Sequence, residues 1–486
     1  MADDAGIVTE EPTVRFARRS SRGLLLGFSA PRVVAIGAGL GLGVVALALW
    51  GAAGLIVAAP VWLTLVATAV VRVGGRPVAE WAGVAGEFSL RSATGQLEYR
   101  SRLPVRARPA GTLALAGDAA ALRVHVDDAT GAAMIHDPHR ETLTAVLSVS
   151  HPAFVLLDRD DRAARVARWG RVFAALAQSD ASVTLQVMEA TVPDPATGEE
   201  EWYAANGVHD GSFADLRYRE LLAQARLAAG AHRSTISLSL DLRSATRANR
   251  RSGKGLAGGA EVLRATMTAL VDLARQAGLR VQGWLGEAEL AALVRGAYDP
   301  ASLLDPRRDS GANLAHAGPL ALSERWDHLR HDSGYSSVLW VAEWPRIDVP
   351  VDFLHPLVFA PGIRRTLSIV ARPVPTSTAL RQIRREKTEA VSDMAQKRRV
   401  GQIADLSDAR EYEDLLARER SVVSGHADVE FAGFVVVTSP TLDALEAARD
   451  ALRRAAAQAA CELRPLYGRQ AEGFALAALP LGRNAF

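Results

Sequence analysis

From Val33 to Val71 the chain runs for 39 residues without an Asp, Glu, Lys, Arg or His. At about 1.5 Å per residue, one straight helix of that length would reach roughly 58 Å, about twice the ~30 Å hydrocarbon core of a bilayer. Two shorter helices are therefore predicted, about Val33–Trp50 and Ala53–Val71. The reversal falls at Trp50-Gly51-Ala52-Ala53-Gly54, where two glycines permit a tight turn and Trp50 suits a water interface. Soluble helices need a polar face, which this run lacks, and a signal peptide carries a single shorter apolar core close to its start. Gly37, Gly39, Gly41 and Gly43 give the first helix two overlapping GxxxG pairs. That spacing lets backbones approach closely in lipid, against the second helix or another subunit.

Beyond residue 110 polar and apolar positions regain a period. Strands are predicted at Leu143–Ser150, Phe154–Leu157, Val183–Glu189, Ser234–Leu242 and Leu279–Trp284, and helices at Arg159–Gln178, Ser212–Ala229, Ala260–Ala277 and Glu287–Arg295. Pro193–Gly207 reads as a loop, and residues 299–334, rich in Pro, Asp, Gly, Ser and Arg, read as a linker. A second set follows: strands at Ser336–Glu343, Arg365–Arg372 and Phe431–Thr438, and helices at Thr376–Ile403, Ser407–Val423 and Thr441–Ala460. The predicted class is α+β: an N-terminal two-helix transmembrane hairpin, then two α+β sandwich subdomains, ferredoxin-like in plan. The boundaries are a basic tail at 1–30, the hairpin at 31–75, a juxtamembrane linker at 76–110, a first α+β domain at 111–298, a linker at 299–334 and a second α+β domain at 335–486.

Composition adds topology. With 49% hydrophobic residues and a mean hydropathy of only +0.06, the apolar run carries the membrane signal and the remainder reads as soluble. Arg15, Arg18, Arg19, Arg22 and Arg32 precede the run, Arg72, Arg76, Arg91, Arg100 and Arg102 follow it, and none lies in the turn. The positive-inside rule then puts both termini and the bulk of the chain in the cytoplasm of a multi-pass plasma-membrane protein. The formal charge of +2 is low for a nucleic-acid binder. One cysteine, Cys461, excludes an internal disulfide framework and a Cys-rich metal site.

No catalytic pattern stands out. The phosphate-cradling GxxxxGK[ST] does not occur; Ser252-Gly253-Lys254-Gly255 lacks its spacing and sits with Arg243, Arg247, Arg250 and Arg251 in what reads as a basic loop. His136 and His139, with His125 and His151 nearby, have no metal-site spacing, and His136-Asp137-Pro138-His139 reads as a turn. Neither HExxH nor GxSxG occurs, so the expectation is no enzyme, no metal and no cofactor. Arg381, Arg384, Arg385, Lys387, Lys397, Arg398 and Arg399, interspersed with Glu386, Glu389 and Asp393, make Thr376–Ile403 the most basic helix. It reads as a solvated helix with intrahelical pairs or as a docking face for an acidic partner.

Arg76-Pro77-Val78-Ala79-Glu80-Trp81, just after the apolar run, resembles the exit of the small PrgI-type inner-membrane subunits of type IV secretion and conjugation systems. The α+β region resembles the N-terminal, non-catalytic part of the conjugation ATPases of the same systems. In those ATPases a run like Gly473-Phe474 through Leu479-Pro480-Leu481-Gly482-Arg483-Asn484 stands just before the motor domain. The layout of residues 30–486 is similar to an actinobacterial family of membrane proteins associated with such operons. The resemblance implies a structural membrane component of a type IV secretion-like or conjugative transfer apparatus. It implies a homo-oligomeric cytoplasmic collar that docks a separate conjugation-type ATPase, because the motor motifs are absent, with nucleic acid only as cargo. The candidate ATPase contacts are Arg381, Arg384, Arg385, Arg398 and Arg399 on the basic helix, and Leu481 and Asn484 in a C-terminal Leu479–Phe486 expected to be exposed. The rival reading is a membrane-tethered adaptor for another export or injection machine.

Overall fold

The computed structural model describes residues 13–14, 16, 29–101, 109–151, 154–179, 181–193, 197–228, 230–246, 252, 255–304, 313–399 and 406–485. Arg15, Arg18, Arg19, Arg22, Arg102, Arg247, Arg250, Arg251, Gly253 and Lys254 lie outside these residues, as do the side chains of Lys397, Arg398 and Arg399. The chain divides into two units: Ala17–Glu98 with Tyr467–Arg469, and Met1–Phe16 with Tyr99–Leu466 and Gln470–Phe486.

In the first of these, all of the apolar run but Val71 lies within helix α1 (Ala30–Val70), the one described helix long and apolar enough to cross a membrane. Its helical path breaks inside the predicted reversal, at Gly51, where φ is 63° and ψ −155°, a conformation that favours glycine. The stretches before and after the break lie against each other, and the Arg32 Nε donates to the Ala69 carbonyl at 3.0 Å. Beyond α1, Arg72–Val73 pairs with Arg76–Pro77 across Gly74 and Gly75, whose φ values of 58° and 78° suit a type I′ turn. Helix α2 (Val78–Ala93) follows, and Ser29 Oγ donates to Glu80 at 2.6 Å.

The second unit is built on an antiparallel sheet of thirteen strands among the described residues. In chain order these are β1 (Glu98–Arg100), β2 (Arg123–Val126), β3 (Ala133–Asp137), β4 (Thr142–Ser150), β5 (Val183–Pro193), β6 (Gly230–Asp241) and β7 (Arg280–Trp284). They continue with β8 (Ala321–Glu324), β9 (Leu329–His331), β10 (Gly334–Glu343), β11 (Arg364–Val374), β12 (Asp428–Ser439) and β13 (Glu462–Pro465). The sheet runs β1-β8-β9-β10-β12-β11-β5-β6-β4-β3-β2, with β7 paired to β4 and β13 to β10.

Two stretches of this sheet follow one plan. In the first, β4 leads through α3 (Arg159–Ala177) to β5, then through α4 (Thr197–Asn206) and α5 (Phe213–Ala228) to β6, and through α6 (Gly255–Gln276) to β7. Helix α7 (Glu287–Tyr298) and the short α8 (Leu314–Ala317) then lead to the second. There β10 leads through the short α9 (His355–Val358) to β11, through α10 (Thr376–Arg399) and α11 (Leu406–Val423) to β12, and through α12 (Leu442–Gln458) to β13. The spatial orders are β7-β4-β6-β5 and β13-β10-β12-β11, so in both the fourth strand flanks the first and the third separates the first from the second. Both carry a helix pair between their second and third strands. The second strands join the halves edge to edge, β11 pairing antiparallel with β5 from Thr366↔Ala190 to Ala371↔Leu185.

Period-2 patterning decides which residues face which layer. Leu143, Ala145, Leu147, Leu185, Ile236 and Leu238 pack under α3 and α6, against Val172, Leu176, Leu263 and Met267. On the same side of the other half, Leu339, Val435 and Val437 meet Leu445 and Leu452 of α12. The opposite face, through Val146, Val338, Val370 and Val436, is covered by α7, by α13 (Gln470–Ala477) and by Leu479 and Leu481. N-caps sit where the polar residues fall: Asp158 accepts from the Asp161 N–H at 2.9 Å, and Thr441 from the Ala444 N–H at 3.3 Å.

Several local expectations need correction. Phe154–Leu156 is a 3₁₀ turn rather than a strand, and the predicted loop at Pro193–Gly207 contains α4. The span 299–334 is not a free linker: α8, β8 and β9 lie within it and bury Leu314, Ala317, Leu322 and Leu329. These elements are three or four residues long, too short for a periodic signal to emerge.

Candidate functional site

The C-terminal segment is buried, which overturns its expected exposure. Leu479 is 0% exposed, Leu481 3% and Arg483 4%. The segment lies on the polar face of β4, β5 and β6, where Gln186 is its clamp. Gln186 Nε2 donates to the carbonyls of Leu476 at 2.9 Å and Leu479 at 3.0 Å and lies 3.0 Å from Ser368 Oγ, while its Oε1 accepts from the Gly482 N–H at 2.9 Å. Ser237 Oγ donates to the Pro480 carbonyl at 2.9 Å. Gly482 has φ +60°, and a Cβ there would stand 2.9 Å from both Ser239 Cβ and Thr144 Cγ2, so both conformation and space require glycine. Arg483 reaches Asp118 at 2.9 Å and Asp137 at 3.0 Å, and Arg140 donates to the Asn484 carbonyl at 3.0 Å. Leu481 is therefore a core residue, and Asn484 is half-buried at the rim of a cleft.

Sequence reasoning missed this clamp because alternation in Ser234–Leu242 reads as a solvent face. A signal was present. The outward set Thr184, Gln186, Thr235, Ser237 and Ser239 carries small or amide side chains and no charge, whereas a wet face normally includes Lys or Glu.

The basic helix divides its charges between two directions. Arg381, Arg384 and Arg385 are exposed. Arg385 makes the intrahelical pair with Glu389 at 2.9 Å, and Arg381 donates to Thr378 Oγ1 at 3.2 Å. Glu386 and Lys387 instead reach α11, Lys387 to Glu419 at 2.7 Å and Glu386 to Arg418 at 3.0 Å. Arg418 also binds Asp428 at 2.5 Å, and that hydrogen bond holds its pKa above the ordinary arginine value. Ala379, Ile383 and Val422 join Val374 in the small apolar core beneath α10 and α11.

The glycines of α1 separate into two pairs. A Cβ on Gly39 would fall 2.8 Å from Val66 Cγ2 and 3.0 Å from the Trp62 carbonyl oxygen, and one on Gly43 would lie 3.7 Å from Leu55 and Trp62. Nothing lies within 4 Å of the equivalent point on Gly37 or Gly41. Gly39→Leu is therefore expected to force the two stretches of α1 apart, while Gly37→Leu leaves their packing intact. Cysteine cross-linking between positions 36 and 69 in each background would read this. Equal cross-linking in both variants would refute it.

Among the described residues no three His, Cys, Asp or Glu side chains converge as a metal site. His136 and His125 stand on neighbouring strands with ring centroids 6.3 Å apart, and Asp137 shapes the turn after β3 by accepting the backbone N–H groups of His139 and Arg140 at 3.0 and 3.2 Å. His331 is buried with Nδ1 2.6 Å from the Tyr298 carbonyl and Nε2 2.8 Å from Ser336 Oγ. Since a carbonyl only accepts, Nδ1 carries the proton and Ser336 donates to Nε2. Burial lowers the His331 pKa to about 4, so the ring is neutral, and burial raises that of the Cys461 thiol to about 11. No protein-family pattern matches this chain, and no curated protein matches it.

Proposed function

We propose that this protein is a structural membrane component of a type IV secretion-like or conjugative transfer apparatus. The observation that carries the anchor is α1: free of charged residues from Val33 to its end, broken at Gly51, with large side chains such as Trp50, Ile56 and Val57 turned outward. We read it as a hairpin that crosses the plasma membrane twice. Arg32 and Arg72 mark its cytoplasmic ends, so the sheet-bearing unit is cytoplasmic. The two strand arrangements β7-β4-β6-β5 and β13-β10-β12-β11 support reading that unit as a tandem of ferredoxin-like folds. The apparatus itself rests on the resemblance of Arg76–Trp81 and Gly473–Asn484 to the secretion and conjugation proteins.

In this reading copies of the chain form a cytoplasmic collar that receives a separate ATPase. Burial of Leu481 removes the C-terminal segment as a docking element and leaves the exposed Arg381, Arg384 and Arg385 face of α10 as the contact. Co-purification of the detergent-solubilised chain from its native host, with mass spectrometry of the partners, is expected to recover a P-loop ATPase in a ring-sized assembly. The triple variant R381E/R384E/R385E is expected to lose the ATPase while keeping its fold, because these side chains pack against no core. Recovery of a lone monomer, or of partners from unrelated machinery, would remove the case for a secretion collar, and the second outcome would favour the tethered adaptor.

A further inference from the structure

We propose that the polar cleft beside the C-terminal segment binds a small phosphate-bearing anion, independently of the transfer-apparatus reading. The cleft encloses about 290 Å³, and its lining includes Arg140, Arg243 and Arg372 together with the hydroxyls of Thr142, Thr184 and Ser239. Its only carboxylate, Asp241, already accepts the Arg243 backbone N–H at 2.9 Å. The lining carries three guanidinium groups against one carboxylate, while the carboxylates that balance them, Glu141, Glu430, Asp118 and Asp137, are not among the lining residues.

Each arginine is already oriented by a partner, Arg243 and Arg372 by carboxylates beyond the cleft and Arg140 at its wall. Glu141 takes Arg243 through two contacts of 2.8 and 3.2 Å, Glu430 takes Arg372, and the Asn484 carbonyl takes Arg140 at 3.0 Å, with Asp137 and Asp118 at 3.9 and 4.0 Å from the same guanidinium. A guanidinium has five N–H donors in a rigid fork, so a carboxylate on one edge orients the group without exhausting it. A tetrahedral phosphoryl group presents several charged acceptors, which suits converging guanidinium forks and hydroxyls. The volume falls just below the roughly 300–1,000 Å³ range of small-molecule pockets, which fits a phosphate ester or a pyrophosphate rather than a nucleic-acid strand.

Gly482 and Asn484 contribute the wall on the side of the C-terminal segment, so occupancy is coupled to the seating of that segment. The test is isothermal titration of the detergent-solubilised full chain with inorganic phosphate, pyrophosphate and AMP at fixed ionic strength. Hydrogen exchange at residues 482–485 is followed in parallel. Saturable binding is expected, with slowed exchange at those residues and at least a tenfold weaker affinity in Arg243→Ala. That side chain is largely exposed, and its ion pair is with the surface Glu141, so its loss is expected to leave the fold standing. Arg217→Ala, at an exposed arginine of α5, is the control and is expected to bind as the parent does. Absence of saturable binding to all three probes, or equal affinity in the parent and Arg243→Ala, would overturn the proposal.

Discussion

Gln186→Leu is expected to destabilise the sheet-bearing unit by on the order of 4 kcal/mol, since leaving each buried polar group without its partner costs about 1–3 kcal/mol. The substitution keeps an apolar stem but orphans the Gly482 N–H and the Leu476 carbonyl together, while the Leu479 carbonyl keeps the Leu481 N–H at 2.9 Å. Denaturant unfolding of the full chain in detergent measures it, and a loss below about 1 kcal/mol would show that water replaces the amide. Gln186→Glu sharpens the test. It would place a carboxylate against two carbonyls in a buried site, which raises its folded pKa above the ~4.3 of an unfolded glutamate. A raised pKa contributes stability that is present below ~4.3 and is lost as pH rises through the folded value. The Glu variant is therefore expected to lose stability relative to the parent as pH rises from about 4 to 8. For the same reason, deleting Leu479–Phe486 is expected to unfold the sheet rather than merely remove a docking site, so partner loss in that deletion would not identify a contact.

Arg483→Met is expected to cost about 3 kcal/mol, the lower end of the usual ~3–5 kcal/mol penalty for breaking a buried ion pair, because Arg140 stays 3.9 Å from Asp137. The side chains of Arg483 and Asp137 are 3% and 4% exposed and lie 3.0 Å apart. Asp137→Asn removes the charge while keeping the oxygen that accepts the His139 and Arg140 N–H groups. The double variant R483M/D137N is accordingly expected to be more stable than R483M alone, and a double-mutant cycle reads the coupling. Additive effects would place the Arg483 contribution in its packing or in its exposed partner Asp118 instead.

Much of the element pattern was legible in sequence because it depends on neighbours within a few residues. Thr142–Ser150, Asp428–Ser439 and Leu442–Gln458 fall close to their predicted spans, since alternation or helical spacing there is long enough to register. Arg123–Val126 and Ala133–Asp137 went unseen because each is too short to carry a period and gains its stability from pairing with the next strand. Of the candidate contacts, Arg381, Arg384 and Arg385 are exposed as a charged helix face predicts. Leu481 is not, since a short apolar run near a chain end has the same composition whether it waits for a partner or fills its own core.

By itself the sequence determined the apolar run, the five-residue stretch within which its helical path breaks, and the longer strands and helices, all of which follow from local polarity, backbone freedom and period. Only the tertiary structure decided that β5 and β11 join the two halves into one sheet. It also decided that the uncharged polar face around Gln186 is covered by the chain's own C-terminal segment. Edge pairing and hydrogen bonds between residues some 300 positions apart in sequence leave no periodic trace along the chain, because the partner that satisfies a buried polar group is chosen by proximity in space.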